Sequence, residues 1–437
     1  MSPLERSKVI QDSVHGSISV DGLFLEILDR PEMQRLRHIK QLGLGHLVFP
    51  GANHTRFEHC LGTYYLSGRM ASAIGLKGVD SDTVRMAGLL HDVCHPPFSH
   101  AMESLMEQTT GLDHMELARR LIKGTIPNHS DEDEDILGGM PSIAEMMEDH
   151  GISSDKVCDL IAFPEPTVRG LDSFSEKMDY FPSDAFMHQI IHGPVDADQM
   201  DYLMRDAHYT GITHGTIDAE RLINTMRVRN DRIVIRRGGV TAAEGLMVSR
   251  SLMYTTVYFH ETVRIAQRML YKAVSESGLQ FKDIYLLNDS QLISRICESG
   301  GRSSKTVREL TNRKINKKAF AIYSADMNED LADRILDYAD PKGWTRLENE
   351  IASASGLDSY DICVETTSKN NLNGNINIGK TEVAIEDDGG KIRYLTRFSP
   401  IARALQSRDP FGWALLVSAP SDKCDEVGRA TRKVLGL

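Results

Sequence analysis

Residues 89–100 read LLHDVCHPPFSH, and this stretch restricts the fold more than any other part of the chain. Just upstream, SDTVRMAGLLHDVC opens with a capping Ser81 or Asp82 and sets Val84, Ala87, Leu90 and Cys94 on one helical stripe. Pro96 and Pro97 stop that helix. An apolar stripe of this kind calls for burial, and burial carries His91 and Asp92 out of water with it. An imidazole beside a carboxylate is costly to bury without compensation. Something has to meet them.

Composition narrows the setting. With 437 residues the chain has room for two or three domains, and 41% apolar with 26% charged residues excludes wholesale disorder. A net charge of −12 argues against a general nucleic-acid coat, yet permits a small phosphate-bearing ligand at a local basic cluster. The start MSPLERSKVIQDSVHG has no apolar stretch of signal-peptide length, and no later run is long enough to span a bilayer. The six cysteines show no CxxC spacing, which predicts reduced thiols in a cytoplasmic protein.

From about residue 30 to 280 the apolar spacing is mostly helical. PEMQRLRHIKQL, VDADQMDYLMRDAHYTG and SRSLMYTTVYFHETVRIAQRMLYKAV all read as helices, RIVIRR as a short strand, and SDEDEDILGG (130–139) as a solvated loop. Beyond residue 316 the rhythm changes. AFAIYSA, DICVET, a hairpin-like TEVAIEDDGGKIRYLTRF and GWALLVSA alternate with helical stretches. The predicted architecture is mainly α. It has a helical core over 1–280, a helical connector over 281–315 and a smaller C-terminal α+β domain over 316–437.

Two fragments can be set beside the opening stretch. NHTRFEHCLGTYYLSGRM (53–70) places Arg56 and His59 three residues apart, on one helical face. In VDADQMDYLMRDAHYTG (195–211), Asp198, Tyr202 and Arg205 fall at i, i+4 and i+7, so each fragment offers a potential ligand and a nearby cation. With His91 and Asp92 the set comprises two imidazoles and two carboxylates. Such mixed nitrogen and oxygen donors suit manganese, iron, zinc or nickel, and magnesium less well. On spacing alone, hydrogen-bonded structural histidines are an equal reading.

The order His59, His91-Asp92, Asp198 resembles the HD-domain phosphohydrolase superfamily. IKQLGLGHLVFPGANHTRFEHCLG, AGLLHDVCHPPFSH and DADQMDYLMRDAHYTGI resemble its deoxynucleoside triphosphate triphosphohydrolase branch, over about residues 9–215. The resemblance implies an HD-domain helical core in which His59, His91, Asp92 and Asp198 hold a divalent metal. It implies that Arg56 grips substrate phosphates, a task for which a planar guanidinium is well shaped. His95, His100 and His114 correspond to accessory histidines that donate a proton or hold phosphate. Tyr202 corresponds to a tyrosine near sugar and phosphate, and Asp196, counted with the catalytic candidates, to an acidic residue adjoining the metal. Gln41 and Leu42 match positions lining the deoxyribose, where a leucine crowds a 2′-hydroxyl. Arg205 joins the substrate-binding set as the cation near Asp198. Gln199 stands where the mammalian-type enzyme has lysine, which removes one cation. His260, Arg264 and Arg268 are candidate base contacts in a region that departs from that enzyme.

VIQDSVHGSI (9–18) and DRPEMQRLRHIKQL (29–42) resemble segments that hold an activating guanine nucleotide, which makes Asp29, Gln34 and Arg37 effector-binding candidates. A helix start with Asp29 as cap and Pro31 in the first turn explains the same residues locally. The implied reaction is metal-dependent hydrolysis of a dNTP to deoxynucleoside and triphosphate, by a homodimer or homotetramer, with GTP or dGTP as activator. Two other readings stay open. One is a different HD-type nucleotide phosphomonoesterase or phosphodiesterase; the other is a nucleotide-sensing oligomer without turnover.

Overall fold

The computed structural model describes residues 7–130, 133–162, 185–279, 284–367, 382–406 and 412–437. Its centre is three helices. Arg56–Ala73 packs against Gly78–Leu90 and against Ala197–Thr210, and so brings the three site fragments into one place. Val84, Ala87, Leu90 and Cys94, the expected stripe, are fully buried. The Gly78–Leu90 helix begins before the predicted caps Ser81 and Asp82, with Lys77 at the N-cap position and Asp80 in the first turn, where a carboxylate favours the helix dipole. Thr55 and Glu58 form a reciprocal capping box that fixes the start of the next helix, and hence the position of His59 one turn in.

The run SRSLMYTTVYFHETVRIAQRMLYKAV is two helices, Val240–Met253 and Glu261–Ser275, joined by a π turn over Tyr254–Tyr258. His260 caps the second helix by accepting from the Thr262 amide at 3.2 Å. RIVIRR is the second strand of a hairpin, Met226–Arg229 with Arg232–Arg236, turned at Asn230 and Asp231 with φ of 50° and 54°. Asn and Asp tolerate that left-handed conformation. The expected connector is not a spacer. Leu292, Ile296, Val307 and Leu310 from its helices belong to the main hydrophobic core.

The C-terminal region is α+β. Strands Lys317–Tyr323, Trp413–Ala419 and Cys363–Thr366 form an antiparallel sheet in that order, backed by helices Pro341–Ser355 and Cys424–Leu435. Phe320, Ile322, Leu347, Ile351, Val364, Leu415 and Val417 give it a small core of its own. The hairpin Ala384–Glu386 with Ile392–Tyr394 forms as expected but leaves that region. It pairs in parallel with Arg232–Arg236, Ile235 opposite Ile385, and Leu395 and Ala402 sink into the main core. All six cysteines are free thiols, and among the described residues no helix is long and apolar enough to cross a membrane.

Candidate metal centre and phosphate-facing groups

His59 Nε2 lies 3.1 Å from Asp198 Oδ1 and 3.2 Å from His91 Nε2, and His91 Nε2 lies 3.7 Å from the same Asp198 oxygen. Asp92 completes the cluster, with Oδ2 3.7 Å from His59 Nε2 and Oδ1 3.7 Å from His91 Nε2. The other nitrogen of each ring decides what this geometry means. His59 Nδ1 is 2.7 Å from Asp201 Oδ2, and His91 Nδ1 is 2.9 Å from the Gly88 carbonyl. Both partners accept, so each Nδ1 carries the proton and each Nε2 turns a lone pair inward. Two imidazole lone pairs and a carboxylate oxygen therefore converge on one point. Without a cation they repel. The converging donors of His59, His91 and Asp198 fit a divalent metal ion, with Asp92 beside them and also grouped with His95 and His114.

Without a metal, the same carboxylates hold a proton on the cluster instead. Burial alone lowers the basicity of His59, but hydrogen bonds to Asp198 and Asp201 outweigh it and raise its pKa to about 10. Burial pushes the Asp92 and Asp198 carboxyls up, yet the Arg56 guanidinium beside Asp92 and the two imidazoles beside Asp198 hold both below the usual carboxylate range. The cluster is an anionic, cation-seeking cradle.

Arg56 forms one side of it. Its Nη1 contacts Asp92 Oδ2 and its Nε donates to Ser99 Oγ at 2.7 Å. Arg56 Nη2 is buried and without a hydrogen-bond partner among the described residues, a position that suits an anionic oxygen. Ser99 serves this arrangement at a conformational cost. Phe98 and Ser99 adopt φ of 57° and 53°, which L-residues seldom do. Asp289 pins the turn by accepting from the Phe98 and Lys40 amides at 2.7 and 3.0 Å. Arg35 adds donations to the Val93 and His95 carbonyls at 3.1 and 2.7 Å. Gly43 must lack a side chain here, because a Cβ would lie 2.7 Å from the Phe98 carbonyl oxygen.

Beyond Asp92, His95 Nε2 lies 3.6 Å from Asp92 Oδ1 and 3.4 Å from Glu103 Oε1, and His114 Nδ1 lies 3.2 Å from the same Glu103 oxygen. The His95 and His114 rings stack with centroids 4.6 Å apart. His100 opens the following helix, and its side chain lies outside the described residues. Gln41 is buried with Oε1 unpartnered among the described residues, and Leu42 is partly buried beside it. Tyr202 meets Tyr258 edge to face at 6.0 Å, and Tyr258 donates to Asp206 Oδ2 at 2.7 Å.

Two expectations are corrected. Arg205 does not face a substrate. It is fully buried, its Nε and Nη2 donate to Asp201 at 2.9 and 3.0 Å, and its Nη1 and Nη2 donate to Asp12 at 2.8 and 3.2 Å. The i+7 relation to Asp198 is real, but helical side chains lean toward the N-terminus, and Asp201 one turn back takes the guanidinium. Asp196 is the N-cap of Ala197–Thr210 and not a reacting acid. It accepts from the Gly193 and Gln199 amides at 2.9 and 2.7 Å, and Gln199 Nε2 closes the turn onto it at 3.0 Å. The residue in place of lysine thus helps fix the cap.

The base-contact candidates are also otherwise engaged. Arg264 contacts Glu365, and Arg268 donates to Glu348 at 2.9 Å, so both join the core to the C-terminal sheet and helix. The effector candidates sit at the surface. Asp29 pairs with Lys8 at 3.6 Å, Gln34 donates to the Leu28 carbonyl at 2.7 Å, and Arg37 donates to Gln34 at 2.8 Å while lying over the Phe57 ring.

Comparison with known proteins agrees with the cradle. The HD domain model matches residues 56–165, and the model of the HD associated region matches 217–437, just over half of the chain. The chain belongs to the HD-domain phosphohydrolase superfamily. Among relatives, an uncharacterized protein of Methanocaldococcus jannaschii is 32% identical over 96% of this chain and 81% of its own length. Human deoxynucleoside triphosphate triphosphohydrolase SAMHD1 is 37% identical over 39% of this chain and 27% of its own length. A hypothetical protein from Aquifex aeolicus has the same fold, with a TM-score of 0.69 and 25% identity over 97% of this chain and all of its own.

The residues of this HD-domain protein that sequence reasoning passed over are supporting ones: Ser99, Asp201, Asp289 and Gly62. Only Asp201 carried a signal, its i+4 spacing to Arg205. A Cβ on Gly62 would lie 1.8 Å from Asp201 Oδ1. The helix leaves that space to the carboxylate.

Proposed function

We propose that this HD-domain protein hydrolyses deoxynucleoside triphosphates to deoxynucleoside and triphosphate. The observation that carries the reading is the adjacency of the lone-pair cradle to the unpartnered Arg56 Nη2, which together suit one phosphate bound by metal and guanidinium. A divalent ion held by His59, His91, Asp92 and Asp198 supplies charge neutralisation and a bound water of lowered pKa. Arg56 gives a phosphate oxygen a fixed donor in a water-poor setting, where charge growing in the transition state is stabilised most. His95 and His114, stacked and joined through Glu103, are the groups assigned to give a leaving oxygen its proton.

The sugar preference rests on Gln41 and Leu42. The buried Gln41 Oε1 can accept from a sugar hydroxyl, and the Leu42 side chain narrows the space for a second one. The likeness to SAMHD1, a protein named as a dNTP triphosphohydrolase, supports the same substrate class. Asp29, Gln34 and Arg37 form the candidate guanine-nucleotide site, in a homo-oligomer that shares it between subunits.

The test is chromatography of products from purified protein with manganese and each dNTP and NTP, with and without GTP. Triphosphate from dNTPs alone supports the reading. Release of inorganic phosphate or nucleoside monophosphate reassigns the reaction. Activity that GTP does not raise, and that Arg37→Ala does not change, removes the effector site.

A further inference from the structure

Asp201 is where the N-terminal hairpin reaches the metal ligands. Its Oδ2 takes His59 Nδ1 at 2.7 Å and Arg205 Nε at 2.9 Å, while Oδ1 takes His15 Nε2 at 2.6 Å and Arg205 Nη2 at 3.0 Å. Asp12 closes the far side. It binds Arg205 at 2.8 and 3.2 Å, and its Oδ1 accepts from the Val14 and His15 amides at 2.9 and 2.8 Å, which turns the chain between the two strands. The Asp12, Asp201 and Arg205 side chains are at most 2% exposed, and that of His15 is 6% exposed. The strand before the tip is different. Ser7–Asp12 is largely open to solvent along its length, so much of its attachment to the core is this polar tip. Ile18 and Val20 hold the returning strand.

We propose that the hairpin tip is a positioning element for the metal. Asp12 and His15 lock Asp201 and Arg205, and Asp201 in turn fixes which nitrogen of His59 carries the proton and where the other points. A carboxylate held by donors of three residues from three elements cannot rotate. With the tip withdrawn, Asp201 and Arg205 regain freedom, and His59 loses the partner geometry that presents its Nε2 lone pair. Metal binding and docking of residues 7–21 are then one coupled equilibrium, and the coupling acts equally in both directions. The proposal rests on the cradle being a metal site and is independent of which phosphate ester the protein cleaves.

The test measures manganese affinity by competition with a chromophoric chelator, on the full chain. Asp12→Asn and His15→Ala each weaken binding by about 10- to 100-fold, the usual cost of losing an outer partner of a metal ligand. His15→Gln, which keeps a donor, recovers part of that loss. Lys305→Ala breaks an exposed ion pair to Glu309 far from the hairpin and leaves affinity unchanged. In the wild type, manganese slows amide hydrogen exchange across residues 7–21. Wild-type affinity in both Asp12→Asn and His15→Ala overturns the proposal, whatever their stability. So does exchange over 7–21 that manganese leaves unaltered. If affinity follows the expected pattern while no dNTP yields triphosphate, the coupling stands and the substrate reading falls.

Discussion

Two buried carboxylates, Asp201 and Glu348, have much in common on first inspection. Asp201 is held by Arg205, His15 and His59. Glu348 is held by Arg268 at 2.9 Å, Lys272 at 3.1 Å and the Val364 amide at 3.0 Å. Both are cut off from water and surrounded by donors. The difference lies in what the donors do next. Lys272 spends its remaining protons on the Ser359 and Ile362 carbonyls at 2.7 and 2.6 Å, and the Arg268 guanidinium lies over the Tyr271 and Trp344 rings, so that network joins the C-terminal region to the core. His59 turns a lone pair away from Asp201 toward a point that two other ligand atoms, from His91 and Asp198, also face. A buried ionic cluster points to chemistry where the unspent capacity of several members converges on one point.

That contrast can be broken experimentally, and the largest effect lies at the open cluster. The double substitution His91→Ala with Asp92→Ala lowers turnover by about 10²–10³-fold or more, read as product formed per unit time. Glu348→Ala gives the opposite profile. It strands Arg268 and Lys272 in the interior and costs about 3–5 kcal/mol in urea unfolding, while manganese affinity stays at the wild-type value. Loss of metal with Glu348→Ala means the two networks are not separate.

Acid sharpens the comparison. Burial works against the charge on Asp201, but Arg205, His15 and His59 hold its carboxyl well below the ordinary range. A group whose folded pKa is depressed adds stability above its unfolded value of about 3.9, and that share is lost as pH falls through the folded pKa. The urea midpoint of the metal-free chain therefore drops as pH falls below about 4, and Asp201→Asn flattens that slope. Gly62→Ala has a smaller effect. In an ordinary helix interior the change stabilises by roughly 0.5–1 kcal/mol; here the added Cβ meets Asp201, and manganese affinity falls roughly tenfold. Lys305→Ala, at an exposed pair with Glu309, is the smallest, within about 0.5 kcal/mol by thermal unfolding.

Much of the site was legible because its ligands are polar residues where the pattern calls for apolar ones. His91-Asp92 ends a buried stripe, His59 lies one turn into a capped helix, and Asp198 lies in the first turn of another. Arg205 was misread because helical spacing gives a direction around the axis and says nothing of which neighbour captures a long side chain. Asp196 was misread because a capping aspartate and a reacting one look alike in sequence. The predicted helices and C-terminal strands mostly formed where local pattern decides. The break at Tyr254–Tyr258 and the departure of the 384–394 hairpin from its neighbours depend on contacts between distant segments, which periodicity does not carry.

The parallel pairing of Ile235 with Ile385 has a consequence for how the molecule is made. During synthesis His59, His91, Asp92 and Asp198 have all left the ribosome long before Ala384–Glu386 emerges. The ligand set can gather while the strand that borders Arg232–Arg236 is still untranslated. A nascent chain arrested before residue 384 would thus capture its ion with that strand edge bare, and an open edge is where chains stick to one another.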